Sequence, residues 1–214
     1  MMPALSCEHL TVRYDGSAEP TLHDISMDVA PGEHVALLGN NGSGKSTLLL
    51  AAVGLLPHEG TIAVCGTILT RESAGIIRRS TGFLFPTPED QILFPRVIDD
   101  VAFSLTNRGM PRKEAIAKSA AMLEQLGIGP LAQEAPFRLS HGQRLRVALA
   151  GVLVASPPLL LLDEPSTSLD PPGREQLIAL LKPYPAAMLV ATHDRDFAGQ
   201  TCSRSIVLEN GRLT

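Results

Sequence analysis

Eight consecutive residues, Gly39-Asn40-Asn41-Gly42-Ser43-Gly44-Lys45-Ser46, hold glycines, a lysine and a hydroxyl in the order of a phosphate-binding loop. A chain that leaves a buried strand and aims successive backbone N–H groups at phosphate oxygens must turn sharply, which a Gly-rich segment does without steric strain. Lys45 supplies a point positive charge, and the Ser46 hydroxyl is a ligand for Mg²⁺. The implied ligand is a nucleoside triphosphate. The flanks argue against an accidental match: Val35-Ala36-Leu37-Leu38 has the composition of a strand covered on both faces, and Thr47 to Ala52 reads as a helix.

Leu159-Leu160-Leu161-Leu162-Asp163-Glu164-Pro165 is a buried strand that delivers two carboxylates at its C-terminal end, where open α/β sheets bind ligands. Phosphoryl transfer gives such neighbours separate tasks: Asp163 to hold Mg²⁺, largely through water, and Glu164 to orient or deprotonate the attacking water. Alone, Asp-Glu-Pro also describes a solvated turn. Leu139-Ser140-His141-Gly142-Gln143 precedes a helical stretch, Arg144 to Ala155, and Ser140 with Gln143 has capping-box spacing. The same helix start, with free N–H groups and a favourable dipole, is an anion site. His193, after the apolar run Met188 to Ala191, is by residue type alone a structural histidine. Tyr14 is by the same standard a strand-end core residue.

The elements that must position these groups are legible as patterns. Leu5 to Tyr14 and Leu22 to Val29 read as antiparallel strands around the turn Asp15-Gly16-Ser17. Short apolar runs at Val35 to Leu38, Phe83 to Phe85, Leu159 to Leu162, Met188 to Ala191 and Ile206 to Leu208 imply a mainly parallel sheet. From Val97 to Ala155 the character is helical, including Lys113 to Leu126, which ends at Gly127. The chain thus reads as one α/β domain: a core and β unit over about 1–86 and 157–214, with a helical subdomain over about 87–156.

The 214 residues are 44% apolar, enough for a real core, and 18 basic against 22 acidic side chains give no reason to expect nucleic acid as a partner. Cys7, Cys65 and Cys202 have no metal-ligand spacing and fit a reducing cytosol. The chain opens without a signal-peptide pattern, and its longest apolar region, Val147 to Leu162, is broken by Ser156-Pro157-Pro158, so no span is expected.

Together, Gly39 to Ser46, Leu139 to Gln143, Asp163-Glu164, Ser168-Leu169-Asp170 and His193 resemble the ATP-binding cassette ATPases, over essentially the whole chain. The resemblance implies a P-loop fold of that type and ATP and Mg²⁺ as ligands. It also implies two copies facing head to tail, so that Ser140 and Gly142, flanking His141 and followed by Gln143, act on the phosphate held by the partner's loop. Ser168, Leu169 and Asp170 would link the two sites. His193 would contact the γ-phosphate, and Tyr14 would stack on adenine.

Gly82 to Phe94, Asp99 to Phe103 and Arg146 to Leu153 are similar to the ATPase of energy-coupling-factor importers, especially the cobalt and nickel branch. That implies a peripheral subunit at the cytoplasmic face of the membrane, partnered by a membrane-embedded scaffold and a substrate-selecting subunit. Two positions depart from the pattern. Pro86 stands where most members carry a glutamine that reaches Mg²⁺; Gln91 could replace it if the loop bends back, or could serve membrane coupling or loop polarity. His141 replaces the first glycine of the signature pair. The end at Thr214 lacks the dimerisation extension of many relatives, so a dimer weak without ATP is expected. The rivals are a soluble cassette ATPase acting on ribosomes or DNA, a nucleotide-binding module with little hydrolysis, and, more weakly, a kinase.

Overall fold

The computed structural model describes residues 2–167 and 169–214, so Ser168 lies outside the described residues. Its strands form two sheets. β1 (Leu5–Val12), β2 (Leu22–Val29), β4 (Glu59–Val64) and β5 (Thr67–Ile68) make an antiparallel sheet in the order β2-β1-β4-β5. β3 (His34–Leu38), β6 (Thr81–Leu84), β7 (Leu159–Asp163), β8 (Ala187–Thr192), β9 (Arg204–Glu209) and β10 (Arg212–Leu213) make the second, ordered β10-β9-β3-β8-β7-β6. Every pairing in it is parallel except β9 with β10. The helices are α1 (Lys45–Ala52), α2 (Ala74–Ser80), α3 (Val97–Thr106), α4 (Arg112–Gln125), α5 (His141–Leu153), α6 (Pro171–Leu181) and α7 (Arg195–Thr201). The expected α/β class with a mainly parallel sheet and an antiparallel β unit is therefore the fold the chain forms.

The parallel sheet divides the apolar interior by the two-residue period of its strands. Leu159, Leu161, Leu189 and Ala191 pack with α1 and the antiparallel sheet. Leu160, Leu162, Met188 and Val190 pack on the other face with α3, α4, α5 and α6. β7 and β8 are buried at every position, which is why they read as unbroken apolar runs rather than alternating ones. The helical stretch has no core of its own: Val101, Leu123, Leu145 and Leu149 belong to the same cluster as Leu160 and Val190.

Several boundaries differ from the sequence expectation, three of them beside candidate site residues. β1 stops at Val12, leaving Tyr14 beyond the strand beside the turn at Asp15 and Gly16. α1 begins at Lys45, two residues early, because Gly44, at φ 108°, makes the left-handed entry to the helix. α5 begins at His141 rather than Arg144, because Ser140 caps it.

Candidate functional site

Parallel register assembles the site. Leu38 of β3 pairs with Thr192 of β8, and Asp163 of β7 pairs with Ala191, so the loops leaving these strands emerge side by side at one sheet edge. A cavity of about 390 Å³ there is lined by Thr21, Pro86, Asp163, Glu164 and the loop from Asn41 to Thr47.

The loop itself is tightly built. A Cβ on Gly39 would lie 2.4 Å from the Leu208 carbonyl, and one on Gly44 would lie 2.7 Å from the Leu22 side chain. Close approach calls for glycine at both, and at Gly44 the left-handed φ of 108° calls for it as well. Asn40 O accepts the Ser43 N–H at 3.1 Å, which closes the turn. Lys45 is only 6% exposed; its Nζ donates to Gly39 O at 2.8 Å and Asn40 O at 3.1 Å, and lies 3.7 Å from Glu164 Oε1. Tyr14 stands 40% exposed at the rim, its hydroxyl 3.1 Å from Thr47 Oγ1.

Asp163 and Glu164 are neighbours in unlike surroundings. Asp163 is 1% exposed, and neither carboxylate oxygen finds a hydrogen-bond partner of good geometry among the described residues. Burial pushes its pKa up; the Ser46 hydroxyl and Lys45 oppose that, and the Glu164 charge adds to it. A buried carboxylate without partners beside a serine hydroxyl is the donor set that a hard divalent cation takes when phosphate oxygens and water complete its shell. Among the described residues no cluster of three or more His, Cys, Asp or Glu could hold a metal alone.

Glu164 is fully engaged. Its backbone sits in the left-handed region at φ 49°, with its N–H on Ala191 O at 2.8 Å. Its carboxylate accepts from Thr192 Oγ1 at 3.1 Å and Thr167 Oγ1 at 3.3 Å, and both its oxygens lie 3.0 Å from His193 Nδ1. Strain at this residue turns the carboxylate away from the strand and across to β8. For Thr192 the sequence signal is a hydroxyl one residue before a candidate histidine, and for Thr167 the sequence carries none.

The start of α5 lies outside this cavity. Ser140 Oγ accepts the Gln143 N–H at 3.3 Å while Gln143 Oε1 accepts the Ser140 N–H at 2.8 Å, so the capping box is real. His141 Nδ1 lies 3.4 Å from Glu89 Oε1, and Gly142 faces the Leu169 side chain, which a Cβ there would meet at 3.8 Å. Asp170 caps α6 through the Gly173 N–H at 3.1 Å and lies 4.0 Å from Arg146 of α5. Ser168 is outside the described residues.

Gln91 stands apart from the cavity. Its Oε1 accepts the Phe85 N–H at 3.2 Å and its Nε2 faces Ala148 O at 3.5 Å, while Pro86 lines the cavity. The replacement of the missing glutamine by Gln91 is not the geometry seen here: the bend after Pro86 turns the amide back onto its own loop. Gln91 instead lines a groove with Gly75, Arg78, Arg79, Phe103 and Arg108.

Comparison with known proteins gives one consistent result. A family model described as ABC transporter matches residues 22–167. The energy-coupling factor transporter ATP-binding protein EcfA1 of Lactiplantibacillus plantarum is 44% identical over 99% of this chain and 77% of its own length. The structure of cbiO1 from Clostridium perfringens, described as part of the ABC transporter complex cbiONQ, superposes with a TM-score of 0.86 at 33% identity, covering 100% of this chain and 88% of that one. A dimeric ATP-binding cassette in a post-hydrolysis state, bound to ADP and Pi, superposes at 0.88 with 28% identity over 98% and 96% of the two chains.

Proposed function

Since the chain belongs to the ABC transporter ATPases, we propose that it is the ATP-hydrolysing motor of an energy-coupling-factor importer, working as two copies that close on nucleotide. The observation that carries the mechanism is Glu164, held at 3.0 Å by His193 and beside Lys45 in the cavity that the phosphate loop lines.

The backbone N–H groups from Asn41 to Thr47 take the phosphate oxygens, and Lys45 moves from the Gly39 and Asn40 carbonyls to the terminal phosphate. That movement removes the cation nearest Glu164. Its carboxylate, oriented by Thr192 and His193, then accepts the proton of the attacking water. Ser46 and Asp163 are the residues that would hold Mg²⁺, which when bound supplies positive charge to the phosphate oxygens. Tyr14 offers its exposed ring to the base. Ser140 and Gly142, which do not line this cavity, would serve the cavity of the second copy, as the dimeric relative bound to ADP and Pi supports.

The groove of Arg78, Arg79, Phe83, Phe103 and Arg108 is where helices of the membrane scaffold would dock. No helix among the described residues is long and apolar enough to cross a membrane, so the subunit would lie peripherally at the cytoplasmic face. The names of the relatives support the energy-coupling-factor transporter class, and a cobalt or nickel ion as the solute rests on the resemblance carried by Gly82 to Phe94, Asp99 to Phe103 and Arg146 to Leu153. The test is uptake of labelled Co²⁺ or Ni²⁺ by cells carrying this chain with its membrane subunits. ATP-dependent uptake that Glu164→Gln abolishes is the expected result. Uptake of a vitamin instead would overturn the solute, and absence of co-purifying membrane subunits would overturn the class.

A further inference from the structure

The reading above leaves Glu89 unused. It lies in the 3₁₀ turn Pro88–Asp90 between β6 and α3, with Pro88 buried beneath it. Its Oε1 is 2.6 Å from Arg144 Nε and 3.4 Å from His141 Nδ1. Arg144 Nη1 in turn donates at 2.7 Å to the carbonyl of Leu139, the residue immediately before Ser140. One acid therefore stands against both sides of the Ser140 turn, through charge proximity rather than an aligned hydrogen bond at Arg144 Nε. At its other end the 3₁₀ turn runs directly into Gln91, whose amide is fixed to Phe85 and whose side chain lines the arginine-bordered groove.

Partial burial on its own raises the Glu89 pKa, but its own backbone N–H, Arg144 and His141 together outweigh this and hold it below the ordinary range. Glu89 is therefore an anion at neutral pH. Arg144 neutralises it, so that it does not repel a phosphate arriving at the α5 start. An isolated exposed pair of this kind contributes little to stability. Position is another matter, because an error of about 1 Å in a group facing the transition state can cost on the order of a hundredfold in rate.

We infer that Glu89 is a positioning residue: through Arg144 it sets the Leu139–His141 turn in the geometry that receives the partner copy's terminal phosphate, and it ties that geometry to the wall of the groove. This rests on the reading that the α5 start acts on the nucleotide of a second copy. Ser140→Ala is the control for that reading and Glu89→Gln, which keeps the side-chain shape, is the test of this one.

The experiment is steady-state hydrolysis of Mg-ATP by the full chain, with binding of a non-hydrolysable ATP analogue measured in parallel. Ser140→Ala should lower kcat. Glu89→Gln should lower kcat about tenfold with KM and analogue binding within about twofold of the parent, and Arg144→Ala should do the same. Because the two residues act as one unit, Glu89→Gln/Arg144→Ala should be no slower than the slower single variant. If Ser140→Ala leaves turnover intact, the trans reading fails and this proposal with it. If Ser140→Ala is slow but Glu89→Gln turns over at the parent rate, shifts KM alone, or multiplies with Arg144→Ala, the positioning role of Glu89 is overturned and the trans reading stands.

Discussion

Adjacent carboxylates in one cavity are made unlike by what surrounds them. Asp163 is sealed from solvent with no partner, whereas Glu164 accepts from two threonines and meets a histidine. Leaving a buried carboxylate unpaired costs about 1–3 kcal/mol. Asp163→Asn should therefore raise the melting temperature of the nucleotide-free chain, by about 2–12 °C at this size, while metal-dependent hydrolysis falls. Calorimetry and a phosphate-release assay on the same preparation check both halves. Glu164→Gln should keep ATP affinity within a few-fold and lose more than ~100-fold in kcat, since its loss removes an interaction realised in the transition state. Lys45→Ala should weaken nucleotide binding itself, read by titration.

Among the elements, the parallel strands do most of the positioning, and their ends are pinned by ion pairs. Glu33, just before β3, lies 2.8 Å from Arg204 of β9. The Arg204 hydrogen bond, assisted by the Ala30 N–H and opposed by burial, holds its pKa below 4.5. A carboxyl lowered in the folded state stabilises fully above its unfolded value and loses that contribution as pH falls through the folded one. Glu33→Gln should thus be less stable at pH 7 by about 0.5 kcal/mol, and its denaturation curve should converge with that of the parent in acid. The phosphate loop and its flanking elements were legible because their chemistry is local: eight residues carry both the turn and the ligand groups. The Glu164–His193 contact was not, because its partners lie 29 residues apart and meet only through the register of β7 with β8. β4 has no strand signature because Glu59-Gly60-Thr61 opens it with exposed residues and only Ile62 and Val64 are buried. α6 is hidden by two prolines at its first turn, which helices accept at that place alone. The Glu89 link to Arg144 spans a loop and a helix that no sequence period connects.

At the scale of the whole molecule, the phosphate loop, Thr21, Pro86 and the carboxylates after β7 line the cavity, and no described residue of the α5 start does. Light scattering of Glu164→Gln with Mg-ATP should show twice the mass seen without nucleotide, because ligand bound across two copies stabilises their association by mass action. Arg78→Glu/Arg79→Glu, which reverses charge on the groove wall, should leave hydrolysis by the free chain within about twofold and lower uptake by the assembled transporter, as expected when a rim charge governs association with a partner. The placement of Lys45 has a further consequence. Its ammonium is satisfied within the chain by two carbonyls and a nearby glutamate. A triphosphate reaching this lysine would have to outcompete those intramolecular partners. The net gain from Lys45 on binding would then be the surplus of the phosphate contact over the three it gives up, so the lysine's grip on nucleotide is set by its own neighbours as much as by the guest.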